Sequence, residues 1–224
     1  MHSVGLTADQ DKPVIIINLI HKPMENTAKQ LADYLLQIKA IKLQPSNPFT
    51  WASGWKSPIY CDNRKTLSFP HVRRVIRDSF VHMAKEKFPG AELIAGVATG
   101  AIAHGALVAE SMDLPFVYVR SGAKEHGLGN QIEGFYKKGQ RVIVIEDLIS
   151  TGGSSLRAVS ALRDAGCEVL GMLAIFTYGF KKAVDNFKES EVALFTLSDY
   201  NTLVDQAKAT GYINENDIDT LKRW

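Results

Sequence analysis

Two adjacent carboxylates, Glu146 and Asp147, follow the apolar run Val142–Ile145 and precede the hydroxyl- and glycine-rich stretch Ser150-Thr151-Gly152-Gly153-Ser154-Ser155. The β-branched run reads as a strand buried on both faces. A helical pattern follows from Leu156, with Val159 and Leu162 on one face and Gly166 as its stop. A helix N-terminus among small residues and Ser/Thr donors is an anion site, and phosphate is its usual occupant. Carboxylates at the edge of a phosphate site would repel the phosphate unless they have another partner. As acceptor-only groups they suit the vicinal hydroxyls of a ribose. The chemistry is that of a ribose 5-phosphate held by one strand–loop–helix unit. Surface turns share this composition, but charges delivered by a buried strand need a partner. No Lys follows the glycines, which excludes a P-loop, and the Gly-x-Gly-x-x-Gly order of a dinucleotide site is absent.

Two further segments carry candidate groups. Ala98-Thr99-Gly100-Ala101 allows close backbone approach and opens a helix, so it is a candidate pyrophosphate cradle; a plain tight βα turn explains the same residues. Ser121 to Arg141 is a long connection with glycines at 122, 127, 129, 134 and 139. It has Arg120 at its base, then Lys124 and His126, and loops of that length are usually functional or disordered. Cations beside a polyphosphate site favour a catalytic lid. Arg73, Arg74 and Arg77 cluster on the polar face of a helix whose apolar face carries Val72, Ile76, Phe80 and Met83, and read as solvated.

The elements that must position these groups show an alternating rhythm. Thr27 and Gln30 suit a capping box for a helix carrying Ala28, Leu31, Leu35 and Ile38. Asn47 to Pro58 reads as an irregular or hairpin-like excursion, and Pro70 opens a second helix running to about Lys87. Strands are predicted at Leu93–Val97, Phe116–Val119, Val142–Ile145 and Glu168–Phe176, with helices over Ile102–Ser111 and, near the end, Thr202–Lys208 and Asp217–Lys222. This alternation argues for a parallel sheet with right-handed crossovers. Ligands of such sheets bind beyond the carboxyl ends of the strands. That places Ala98–Ala101, Arg120 onward and Glu146–Ser154 together.

Composition sets the bounds. The chain has 224 residues, 46% hydrophobic and 22% charged, with a formal net charge of +2, ordinary for one globular domain and no footing for nucleic acid. Cys61 and Cys167 are too few and too distant for a metal site or a disulfide framework and fit a reducing cytoplasm. Val14–Ile20 is too short an apolar run to span a membrane and lacks the flanks of a signal peptide.

On the residues Ile143–Ser155, Phe49-Thr50-Trp51-Ala52-Ser53-Gly54-Trp55-Lys56-Ser57-Pro58-Ile59-Tyr60-Cys61-Asp62-Asn63-Arg64 and Arg120–Gly134, the chain resembles the orotate branch of the type I phosphoribosyltransferases. The match runs from about Glu25 onward. The resemblance implies an α/β fold: a parallel-sheet core with helices on both faces and a small N-terminal hood. Residues 1–23 are then an extension of unexplained role, 24–70 the first helix and hood, and 71–224 the core. It implies transfer of ribose 5-phosphate from phosphoribosyl pyrophosphate to orotate, with Mg²⁺ carried by the phosphates, in a homodimer with shared sites. By motif position, Glu146 and Asp147 hold the ribose hydroxyls, and the loop Leu148, Ile149, Ser150, Thr151, Gly152, Gly153 and Ser154 holds the 5′-phosphate. Arg120, Lys124 and His126 contact pyrophosphate across the dimer, the last two in a catalytic role. Tyr60, Cys61, Ser150 and Lys56 face orotate. The chain departs from another bacterial branch at Ala52 and Ser121, where that branch has lysines, and in the Ala98–Ala101 turn, which lacks one. Lys56 lies nearby as a candidate substitute for the lysine missing at Ala52. A transferase for another base, or a sensor of phosphoribosyl pyrophosphate without activity, shares part of this pattern; the 49–64 match argues against the first, Lys124 and His126 against the second.

Overall fold

The computed structural model describes residues 20–21, 25–51, 53–120, 122 and 131–224. Its centre is a seven-stranded sheet in the order β1 (Ile20–His21), β11 (Leu194–Asp199), β10 (Glu168–Thr177), β9 (Arg141–Ile149), β6 (Leu93–Val97), β7 (Phe116–Val119) and β8 (Ile132–Glu133). Every pair is parallel except β7 with β8, where Tyr118 faces Glu133 and Val119 faces Ile132. The sheet is parallel as expected, and β8 adds one antiparallel strand at its edge. The Ser121–Arg141 connection folds back at Gln131, which accepts the Arg120 N–H at 2.9 Å, and lays an edge strand beside β7.

The pleat sorts the core residues. Ile143 and Ile145 join Ile94, Leu173 and Ile175 on one face, under α1 (Glu25–Gln37), α2 (Pro70–Lys87) and α3 (Ile102–Met112). Val142 and Val144 join Leu93, Ala95, Met172 and Ala174 on the other, under α4 (Gly153–Asp164) and α5 (Lys181–Glu189). A strand covered on both faces must be apolar at consecutive positions, which is why Val142–Ile145 does not alternate with polar residues. Helices α6 (Tyr200–Ala209) and α7 (Glu215–Arg223) complete the first face.

Among the elements that escape the sequence pattern are β11, α5 and β8. β11 carries Thr196 and Ser198 in a buried run, and Ser198 Oγ satisfies itself by donating to the Ala28 carbonyl at 2.9 Å. α5 buries only Ala183 and Phe187. β8 is two residues long. The first helix begins at Glu25, so Thr27 sits inside its first turn and is not the cap. α1 packs Leu31 and Leu35 into the sheet's own core.

The hood is built from two short antiparallel pairs. β2 (Ile41–Leu43) lies beside β5 (Ile59–Cys61), and β3 (Phe49–Thr50) beside β4 (Lys56–Ser57). A 3₁₀ helix, Asn63–Ser68, leads from β5 into α2. Arg73 donates from Nη1 to the Leu67 carbonyl at its end, and Arg77 pairs with Asp78, so two of the three clustered arginines hold protein partners.

Candidate active site

β9 runs four residues further than its apolar run. Beyond Ile145 it keeps its partner β10, with Glu146 opposite Ala174 and Ile149 opposite Thr177, while its pairing with β6 stops at Gly96 and Ile145. The chain leaves β6 toward β7 on one side and β9 toward β10 on the other. This is the switch point at which open parallel sheets bind ligands. Glu146 and Asp147 stand in the opening.

A cavity of about 520 Å³ fills it, lined by Glu146, Asp147, Leu148 and Ser150–Ser155 from β9 and α4, Val97–Gly100 from the loop after β6, and Cys61, Asp62 and Arg64 from the hood side. Gly152 adopts φ +80°, and a Cβ there would meet the Phe187 ring at 2.6 Å, so only glycine allows this turn. α4 then starts at Gly153, earlier than its apolar pattern, and aims its unpartnered first-turn N–H groups at the cavity. Asn186 steadies the loop by donating to the Thr151 carbonyl at 2.8 Å. Gly100 lies against the Asp147 carboxylate, where any Cβ would collide with it. The Ala98–Ala101 turn thus touches Asp147. The Ala98–Thr99 peptide in it is cis.

The two carboxylates differ in setting. Glu146 is 4% exposed; its Oε2 accepts from Ser155 Oγ at 2.7 Å and its Oε1 from the Asp147 N–H at 2.9 Å. Burial, reinforced by the neighbouring Asp147 charge, pushes its pKa up to about 8. Asp147 is half-buried and also raised by burial, with Arg64 pulling the other way. Asp147 is the more open acceptor for a ligand hydroxyl.

A second cavity, about 320 Å³, opens from the first through shared Cys61, Leu148 and Ser150, and adds Thr50, Trp51, Tyr60 and Tyr178. Trp51 is fixed by its Nε1 bond to the Ile59 carbonyl at 3.1 Å and by the Tyr178 ring at 5.2 Å. Asn63 joins hood to core: its Nδ2 donates to the Asp147 carbonyl at 2.6 Å and its Oδ1 accepts from Cys61 Sγ at 3.4 Å. Burial, with Asp147 and Asp62 nearby, pushes the Cys61 thiol up, so it sits there as a neutral thiol. A polar hollow with phosphate donors beside a shallow aromatic slot suits a sugar phosphate joined to a flat ring. A further cavity of about 440 Å³ between α2 and β11 shares no residue with these two.

Residues 65–206 match the family described as phosphoribosyl transferase domain. A protein named orotate phosphoribosyltransferase from Phocaeicola vulgatus is 60% identical over 201 residues, 90% of this chain and 95% of that protein. One of the same name from Porphyromonas gingivalis is 57% identical over 201 residues, 90% and 96% of the two chains. The crystal structure of orotate phosphoribosyltransferase from Aeropyrum pernix superposes with a TM-score of 0.71 at 28% identity, covering 82% of this chain and 99% of that one.

The chain belongs to the phosphoribosyltransferase family.

Within this phosphoribosyltransferase the expected residues fall as follows. Glu146, Asp147, Leu148, Ser150, Thr151, Gly152, Gly153 and Ser154 line the first cavity, and Ser150 and Cys61 line both. Ile149 is fully buried behind the loop in the core. Tyr60 lines the aromatic cavity. Lys56 is not among its lining residues; its ammonium reaches Thr50 Oγ1 at 2.7 Å, one step behind the wall. Arg120 stands at the end of β7 with its guanidinium 3.7 Å from Glu133. Lys124, His126, Ala52 and Ser121 lie outside the described residues. Sequence reasoning missed Ser155, Asn63, Tyr178 and Arg64. Ser155, Asn63 and Arg64 lie inside the recognised motifs but carried no assigned role there, and Tyr178 reaches the site only through long-range packing.

Proposed function

We infer that this phosphoribosyltransferase is an orotate phosphoribosyltransferase: it transfers ribose 5-phosphate from phosphoribosyl pyrophosphate to orotate, giving orotidine 5′-phosphate and pyrophosphate in pyrimidine nucleotide synthesis. The observation that carries the reading is the pair of cavities joined at Ser150, one polar and lined by the acidic pair and phosphate loop, the other aromatic and roofed by the hood. The core alone fits a transferase for any base, because fold does not decide substrate. The hood segment 49–64 and the names borne by relatives at 57–60% identity favour orotate.

Displacement at the anomeric carbon develops oxocarbenium character while negative charge gathers on pyrophosphate, so the protein must position and stabilise more than attack. Ser150–Ser154 and the α4 N-terminus hold the 5′-phosphate, and Asp147 accepts from the ribose hydroxyls. Glu146, held by Ser155, shapes the floor beneath them. Trp51, Tyr60 and Tyr178 sandwich the base, and Lys56 sets the charge behind Thr50. The hard carboxylate oxygens of Asp147 at the cavity wall fit Mg²⁺, which takes few protein ligands and keeps phosphate oxygens and water. When bound, that ion neutralises charge on the leaving group. Lys124 and His126 complete the pyrophosphate site from the partner subunit of a homodimer. Residues 24–70 carry the first helix and hood, and 71–224 the core. The two free cysteines favour a reducing cytoplasm.

The test is the fall in orotate absorbance with and without phosphoribosyl pyrophosphate and Mg²⁺. Turnover should require both, with uracil, adenine and hypoxanthine at least about a hundredfold poorer, since a site that bonds a substrate's polar groups rejects analogues lacking them. Uracil turned over as well as orotate would overturn the assignment.

A further inference from the structure

The described lining of the phosphate cavity holds three acids, Asp62, Glu146 and Asp147, against a single cation, Arg64. Within that described lining, Arg64 is the one group that offsets the acids toward a diphosphate. We propose that Arg64 is a phosphate-binding residue of this site, exchanging its contact with Asp62 for an oxygen of the bound diphosphate. The proposal rests on reading the cavity as a phosphoribosyl pyrophosphate site.

Its geometry suits the exchange. Arg64 Nε donates to Asp62 Oδ1 at 2.6 Å, while 63% of the Arg64 side chain stays exposed. That bond uses Nε alone, so the Nη1 and Nη2 groups take no part in it. An exposed ion pair of this kind is weak, whereas a guanidinium fork on phosphate is charge-assisted and can bind through two parallel bonds. The backbone beneath is firmly held. Asn63 bonds the Asp147 carbonyl, and Thr66 Oγ1 bonds the Asn63 carbonyl and lies 3.1 Å from Nε2 of buried His104. Arg64 therefore swings from an anchored base, and Asp62 parks it beside the cavity. Lys56 does not fill this role, because its ammonium is spent on Thr50 outside the cavity.

The experiment compares wild type, Arg64→Gln, Arg64→Lys and Asp62→Asn. Calorimetry measures inorganic pyrophosphate binding in the presence of Mg²⁺, and initial rates give KM for each substrate. Arg64→Gln should weaken pyrophosphate binding at least about tenfold, the scale of a lost charged hydrogen bond. It should raise KM for phosphoribosyl pyrophosphate similarly and leave KM for orotate unchanged. Arg64→Lys should recover part of the affinity. Asp62→Asn, which releases the guanidinium, should bind pyrophosphate at least as tightly as wild type. Equal weakening in Arg64→Gln and Asp62→Asn would mean a structural ion pair and overturn the proposal, as would unchanged pyrophosphate binding in Arg64→Gln. Inactivity of the wild type toward orotate, with Arg64-dependent pyrophosphate binding intact, would sink the orotate reading alone.

Discussion

Glu146 and Asp147 are neighbours in sequence with opposite surroundings, and the difference is measurable. Glu146 carries a raised pKa near 8 in the fold, whereas an unfolded glutamate titrates near its ordinary value. Between those values the folded chain binds the extra proton, so stability falls as pH rises through the window and levels off above about 8. Glu146→Gln mimics the protonated acid. Denaturation from pH 5 to 8.5 should give a flatter curve for this variant, and greater stability than wild type at the alkaline end. Parallel curves for the two proteins would show that Glu146 is ionised throughout. A polyhydroxyl ligand donating to the pair would draw the wild-type pKa back down. Asp147 has the ligand-facing role in the proposed function. Asp147→Asn should keep the fold and weaken the productive complex by about 1.5–3 kcal/mol, the scale of a hydrogen bond to a charged group, read as kcat/KM. Normal efficiency in a folded Asp147→Asn protein would remove that residue from the site.

At the scale of elements, the hood depends on an aromatic cluster behind it. Trp224, immediately after α7, packs its ring 5.1–5.8 Å from those of Tyr200, Phe180, Trp55, Tyr178 and Trp51. Trp51 and Tyr178 are walls of the aromatic cavity. One helix end therefore braces the base slot without touching it. Trp224→Ala should lower stability by about 2–4 kcal/mol, the range for emptying a large aromatic site. It should also raise KM for orotate several-fold while KM for phosphoribosyl pyrophosphate stays put, because the phosphate loop hangs from β9 and α4 and not from the hood. Trp224→Phe should restore most of both. If both KM values moved together, the cluster would be supporting the whole fold and not the slot.

For the whole molecule, the shared-site reading makes a numerical claim. If each site joins Asp147 of one chain to Lys124 and His126 of the other, two weak variants can repair one another. Lys124→Ala should lower kcat more than affinity, since the charge it meets grows in the transition state. Equal amounts of Lys124→Ala and Asp147→Asn, unfolded and refolded together, give about half mixed dimers, each with one intact site. Activity should return to about a quarter of wild type. Proven heterodimers no more active than their parents would show that the loop serves its own chain.

The phosphate loop, the acidic pair and the strand beneath them were legible in the sequence because their chemistry and position are local: a few consecutive residues set the burial, the turn and the helix start. Local pattern also gave the four central strands and most helices. What it could not give was set by pairing at a distance. β9 continues through Ile149 because β10 keeps bonding it after β6 has turned away, and β8 exists only because Gln131 returns to Arg120. Lys56 lies within the hood motif in sequence, yet the β3–β4 pairing hands its ammonium to Thr50. Arg64 and Tyr178 reach the cavity walls because a 3₁₀ turn and the end of β10 are packed there, and Asn63 ties that turn to the Asp147 carbonyl. The sequence alone picked out the groups proposed to bind phosphate and ribose. The tertiary structure decided which carboxylate stands more open to the cavity, which cation lines it and what walls the aromatic slot beside it, since burial and long-range contacts set those and neither is written in neighbouring residues.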